Sequence, residues 1–301
     1  MSKQRIMMIG LVLLAAGICA AQTKPFKRAL PAVITTEGLA KVLESGEKAV
    51  ILDCRTAELY GVAHIKGAIN IYTREIFDKG SPIENMAPPP AELAAIFAQN
   101  GIGKESRVVV YEDTSDARDA ARMLLYLELA GHEKAQILDG GIAKWSREKR
   151  AKEQTPVKLP AAKFAPNPQV DRFLVDKAYV VKNLKNPKVI LVDDRSPDEF
   201  TGKISGTNVK RGGGHIPGAV NKDYKTAVKE DGTFKDAETL RKEFAAIGAA
   251  KDKEIILYCR TAARSSLSRI AALYIAELPN VKVYDGSMVE WSADENLALE
   301  K

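Results

Sequence analysis

The run Tyr258-Cys259-Arg260-Thr261-Ala262-Ala263-Arg264-Ser265-Ser266 carries the most reactive chemistry in this chain. It follows a short apolar run, Glu254 to Tyr258, and leads into a helical pattern from Leu267 to Glu277. A cysteine between a buried strand and a helix start has a defined electrostatic setting. The first amides of a helix have no intrahelical partner. The helix dipole adds partial positive charge, and Arg260 and Arg264 add full charges. All of these favour a negatively charged sulfur, which is the nucleophile. The same amides can hold an anionic substrate. A free thiol more often ends as an inert core residue, so the arginines are what point to catalysis.

The chain has two further cysteines, Cys19 and Cys54. The three lie too far apart for a zinc-type cluster and are too few for a disulfide scaffold. Cys54 reads as a small core or loop residue. His64 and His215 invite assignment as bases. Trp145 and Trp291 read as packing residues.

These residues recur in a repeat. Asp53-Cys54-Arg55 answers Asp193-Asp194-Arg195. His64-Ile65-Lys66-Gly67-Ala68 answers His215-Ile216-Pro217-Gly218-Ala219. Asp139-Gly140 with Trp145 answers Asp285-Gly286 with Trp291. One insertion, around Lys203 to Gly213, offsets the two halves. Each half is a copy of one domain of about 130 residues, within the usual domain range.

Short apolar runs alternate with helical patterns in both copies. Strands are expected at Ala49–Asp53, Arg107–Tyr111, Ala135–Asp139, Val189–Asp193, Glu254–Tyr258 and Val281–Tyr284. Helices are expected at Glu37–Ser45 with Thr36 as cap, at Pro90–Gln99 and at Asp116–Ala130. This pattern implies an α/β fold, two tandem domains that are each a mostly parallel sheet with helices on both faces. The expected division is a leader at 1–21, a first domain at 22–150, a linker at 151–170 and a second domain at 171–301. After Tyr111 the first copy carries Glu112, Asp113, Thr114 and Ser115 where the second carries the cysteine loop. A carboxylate cannot act as a thiol nucleophile, so the first copy is expected to lack the chemistry.

The composition fits a folded chain: 301 residues, 46% hydrophobic and 28% charged. It excludes collagen and wholesale disorder. Lys3 and Arg5 precede an uncharged run from Ile6 to Ile18, and small residues follow to Ala21, which is the pattern of a cleaved signal peptide. The run is too short to span a bilayer comfortably. A periplasmic or secreted protein without stable membrane insertion is expected. Loss of Lys3 and Arg5 lowers the net charge from +6 by two, to +4. The lysines are scattered and form no basic stripe, so nucleic acid is not an expected partner.

The linked motifs resemble those of tandem-domain rhodaneses, sulfurtransferases of the thiosulfate and 3-mercaptopyruvate group. The resemblance covers nearly all of 30–301. It implies double displacement through a Cys259 persulfide, with ping-pong kinetics and no metal or organic cofactor. It implies that Arg195 helps Arg260, Thr261, Ala262, Ala263 and Arg264 bind a small anionic donor. A thiophilic acceptor, cyanide or a thiol, would then take the sulfur. A monomer is expected.

The loop fits neither common subtype of this group. Thr261 stands where animal-type thiosulfate enzymes carry lysine, and mercaptopyruvate-type loops are richer in glycine. Two arginines favour a small dianion, so thiosulfate is the expected donor and 3-mercaptopyruvate the alternative. A phosphatase of the same fold would need a longer loop to wrap a tetrahedral oxyanion. A non-catalytic sulfur carrier or binding module is the alternative from another class.

Overall fold

A computed structural model describes residues 26–113 and 117–301. The expected leader, with Cys19, lies outside the described residues, as do Thr114 and Ser115. Two five-stranded sheets, all parallel, form the two halves. The first runs Val33–Ile34, Ala135–Leu138, Arg107–Tyr111, Ala49–Asp53, Ile69–Asn70 across the sheet. The second runs Leu174–Val175, Val281–Tyr284, Glu254–Tyr258, Val189–Asp193, Val220–Asn221 in the same topology. The expected α/β architecture in two tandem copies is the one observed.

The central strands are apolar almost throughout because helices cover both faces. Val108 to Tyr111 and Ile255 to Tyr258 are fully or nearly fully buried. Burying each such side chain contributes about 1.5–3 kcal/mol. The strand ends are where polar residues begin: Asp53, Glu112, Asp193 and Cys259 each sit at or just past a strand's carboxyl end. That edge is where parallel sheets bind ligands.

Helix boundaries shift where local hydrogen bonds decide them. Thr35, not Thr36, caps the first helix, Thr36–Glu44, by accepting from the Gly38 amide at 3.0 Å. The Thr36 hydroxyl donates instead to Glu148 at 2.9 Å. The helix expected from Asp116 spans Arg118–Leu129, preceded by Ala117 in a left-handed conformation. The helix after the cysteine loop starts earlier than its periodicity suggests. It runs Ala263–Arg269 and then widens into a π-type segment, Ile270–Ile275.

Residues 151–170 are not a free connector. Lys152–Glu153 pairs antiparallel with His64–Ile65. Farther on, the Ala162 amide donates to Ala98, and Asn167 donates to Ala130. The segment is strapped over the first half, with Val157, Leu159 and Phe164 packed on its core. An extended strap makes contacts one residue at a time, which is why it carries no helical or strand period.

One hydrophobic core spans both halves. Helix Arg118–Leu129 packs on helix Ala263–Arg269, so the helices that follow the two equivalent loops meet each other. The matched aspartates Asp139 and Asp285 bridge reciprocally. Asp139 of the first half accepts from the Phe234 amide at 2.8 Å, and Asp285 of the second accepts from the Ala87 amide at 2.7 Å. Asp285 also takes Arg122 at 2.6 Å, both side chains being buried.

Candidate active site

Cys259 leaves the end of strand Glu254–Tyr258 and lies at the wall of a cleft of about 390 Å³ between the two halves. It is 1% exposed. Ala262 adopts a left-handed turn, φ 63°, that brings the chain from strand into helix. Ser287 stitches this loop. Its hydroxyl accepts from the Cys259 amide at 3.3 Å and the Ala262 amide at 3.2 Å, and donates to the Tyr284 carbonyl at 2.8 Å. The Met288 amide donates to the Cys259 carbonyl at 3.1 Å. Two loop amides are thereby committed to structure. The first-turn amides of the helix from Ala263 have no intrahelical partner and are the ones suited to an anion.

Arg264 also lines the cleft. Its guanidinium meets the Glu199 carboxylate with two hydrogen bonds, at 2.7 and 3.0 Å. Burial works against the charge on Arg264. The bond to Glu199 and the electrostatic pull of Cys259 outweigh it and raise its pKa. Arg260 reaches across to the first half, donating to both oxygens of Glu84 at 3.0 and 3.1 Å. Thr261 and Ala263 line the cleft as well, while Ala262 is fully buried behind it.

The expectation for Arg195 is corrected. It does not line the cleft, and its side chain is fully buried. The guanidinium donates to Asp193 at 2.9 and 2.6 Å and to the Gly214 carbonyl at 2.6 Å. Arg55 repeats this in the first half, with Asp53 at 2.9 and 2.7 Å and the Ala63 carbonyl at 2.6 Å. These shared contacts hold the fold in both halves; Arg55 Nη1 also faces Asp113 at 3.9 Å, whereas Arg195 Nη1 is buried with no hydrogen-bond partner among the described residues. The histidines follow suit. His64 stacks on Tyr60 and His215 on Phe200, with ring centroids 3.8 and 3.7 Å apart. The indole N–H groups of Trp145 and Trp291 donate to Ala151 and Ala298.

In the first half Glu112 occupies the place of Cys259. The Ile142 amide donates to its carbonyl, as Met288 does to that of Cys259. Its side chain turns back and accepts from the Ala120 amide at 2.7 Å, so a carboxylate of the chain itself occupies the helix start. Cys54 is fully buried, and that burial pushes its thiol pKa well above the usual value. Cys54 and Cys259 are both free thiols.

Sequence reasoning missed Glu199, Glu84 and Ser287, and the contribution of the first half. Arg74, Asn85, Arg118 and Tyr126 line the cleft opposite the cysteine loop. A signal for Glu199 existed. It stands four residues after Arg195, where the first copy has Leu59, which is 43% exposed. The charge is gained and buried only in the copy with the cysteine, where it holds Arg264. Among the described residues, no group of three or more His, Cys, Asp or Glu could hold a metal ion. No described helix is long and apolar enough to cross a membrane.

The pattern of the rhodanese-like domain matches twice, at 35–148 and 176–294. The thiosulfate sulfurtransferase of Corynebacterium glutamicum is 32% identical over 281 residues, covering 90% of this chain and 88% of its own. The sulfur carrier protein TtuD of Thermus thermophilus is 32% identical over 268 residues, covering 86% of this chain and 93% of its own. Among solved structures, an anaerobic ergothioneine biosynthesis enzyme from Chlorobium limicola, in complex with trimethyl histidine, superposes with a TM-score of 0.80 at 25% identity. That match covers 90% of this chain and 70% of the other. With two domain matches and relatives aligned along most of its length, the chain belongs to the rhodanese family, carrying the rhodanese-like domain in tandem.

Proposed function

We propose that the protein is a thiosulfate sulfurtransferase in which Cys259 carries the transferred sulfur as a persulfide. The observation that carries this reading is Cys259 on the cleft wall with Arg260 and Arg264 lining the same cleft. The Cys259 sulfur attacks the outer sulfur of thiosulfate. The new S–S bond forms as the old one breaks, and its electron pair leaves with sulfite. An acceptor thiolate or cyanide then attacks the outer persulfide sulfur and returns Cys259 as thiolate. Arg264 and the helix-start amides offset the negative charge on both the persulfide and the leaving sulfite. Neither half-reaction changes a metal's oxidation state or calls for an organic cofactor.

Two relatives frame the alternatives. One is named a thiosulfate sulfurtransferase, and TtuD is named a sulfur carrier. Both readings share the persulfide and differ in the acceptor. Incubation of the reduced protein with thiosulfate is expected to add the mass of one sulfur, and Cys259→Ala is expected to add none. Thiocyanate production from cyanide then supports turnover. No mass gain with thiosulfate overturns the donor assignment, and a gain with 3-mercaptopyruvate alone replaces it. The reading also places the protein outside the cytoplasm, on the leader pattern ending at Ala21, as a monomer. An exported form beginning at Gln22 and eluting at single-chain mass supports both.

A further inference from the structure

The two arginines of the cysteine loop are held differently. Arg264 and Glu199 are mostly buried, at 15% and 10% exposure, and Glu199 is fixed again by Ser196. Arg260 and Glu84 are more open, at 26% and 32%. Both Glu84 oxygens accept from Arg260 Nη1, and one accepts from Asn208 Nδ2 at 2.7 Å. The Thr207 carbonyl accepts from the same Arg260 nitrogen at 3.1 Å.

Thr207 and Asn208 belong to the 203–213 insertion, which only the copy with the cysteine carries. Asn208 takes a left-handed conformation, φ 59°, uncommon for a residue with a Cβ. Gly206 lets the segment lie close over the loop. A Cβ there would stand 3.3 Å from Arg260 Cδ and 3.3 Å from Glu199 Oε1. The insertion therefore builds the surroundings of the Arg260–Glu84 pair. The two halves are already tied by the buried Arg122–Asp285 pair, so a half-open pair adds little as a staple.

We infer that Glu84, on the half without the cysteine, sets donor affinity by competing with the anionic sulfur donor for Arg260. The inference rests on the sulfurtransferase reading above. With both loop arginines paired, neither offers its full charge to a dianion until its carboxylate partner is released. The buried Arg264 pair is costly to open, because each partner would be left uncompensated. The open Arg260 pair is screened by water and exchanges readily. A sulfonate group that displaces Glu84 gains charge-assisted bonds to Arg260, and an uncharged or singly charged donor gains less.

Glu84→Gln keeps the shape and removes the charge. Its KM for thiosulfate at low ionic strength is expected to fall roughly three- to tenfold, with kcat moving less, as expected for a weak screened pair. The gain should fade as salt rises and should vanish in an Arg260→Gln background. A purely structural contact would lower the melting temperature without that coupling. Persulfide formation with an unchanged KM in Glu84→Gln, or the same drop in the Arg260→Gln background, overturns the inference alone. No sulfur gain from thiosulfate by the unaltered protein overturns the donor assignment, and this inference with it.

Discussion

Arg264 gives both terminal amino groups to one carboxylate, Nη1 to Glu199 Oε2 at 2.7 Å and Nη2 to Oε1 at 3.0 Å. The fork places a fixed positive charge beside Cys259 on the cleft wall. Breaking a largely buried pair from one side costs about 3–5 kcal/mol, because the other charge is left unpaired. Arg264→Gln is therefore expected to lose about 3 kcal/mol of stability by chemical denaturation. It should also lower kcat/KM for thiosulfate by at least about tenfold, the effect of losing one charged contact to a developing anion. Glu199→Gln should lose stability yet keep most sulfur transfer, since Arg264 stays charged. Equal loss of activity in both would assign Arg264 to structure.

Ser287 is the second residue that the loop depends on. Its hydroxyl is the acceptor for two buried amides, those of Cys259 and Ala262. An unsatisfied buried donor costs about 1–3 kcal/mol. Ser287→Ala should destabilise the protein by about 2 kcal/mol and slow persulfide formation, measured as mass gain against time, by about tenfold or more. Gly141 holds the equivalent place in the first half, with φ 54° against 49° for Ser287. The hydroxyl is therefore an addition in the copy with the cysteine. If Ser287→Gly, which eases the left-handed backbone, forms persulfide at the normal rate, the stitch has no catalytic consequence.

How much of this was legible follows from the range of each interaction. Strands Ala49–Asp53, Arg107–Tyr111 and Glu254–Tyr258 matched their expected bounds because each carries an uninterrupted apolar centre, 50–52, 108–110 and 255–257, and is followed or ended by a charged or reactive residue. The loop carrying Cys259 was legible because nucleophile and arginines are sequence neighbours. Arg195 was assigned to the donor site from the family resemblance, yet its partner Asp193 is only two residues away and closes on it first. Glu84 meets Arg260 from 176 residues away, and Arg122 meets Asp285 from 163. No local pattern encodes such pairs. They come from docking one copy on the other, which the repeat implied without giving the relative placement.

The correction at Arg195 is itself testable. Lysine keeps the charge but cannot form the forked contact to Asp193. Arg195→Lys should lose about 2–3 kcal/mol of stability, the cost of leaving a buried hydrogen-bonded carboxylate poorly paired. Folded Arg195→Lys should show a KM for thiosulfate within about twofold of the parent, since a contact remote from substrate leaves uniform binding unchanged. A KM raised tenfold at unchanged stability would return Arg195 to the donor site.

Asp194 gives the fold a specific pH dependence. It occupies the variable middle of the second Asp-x-Arg motif, where the first copy has Cys54. It is fully buried, and burial pushes its carboxyl up to about 7, helped by Asp193 and opposed by Ser265, Ser268 and Lys222. An acid whose pKa is higher folded than unfolded takes up a proton on folding. Its penalty is therefore absent below the unfolded value of 3.8 and grows as pH rises through 7. Asp194→Asn is neutral at every pH and nearly the same shape. Relative to Asp194→Asn, the parent should lose stability steadily from about pH 4 to about pH 7, then hold a constant deficit. The measurement is the difference between the two proteins' denaturation midpoints across that range, which removes the contribution of every other carboxylate. A difference that does not change with pH would mean that Asp194 is equally protonated in both states, and that water or Lys222 compensates its charge inside the fold.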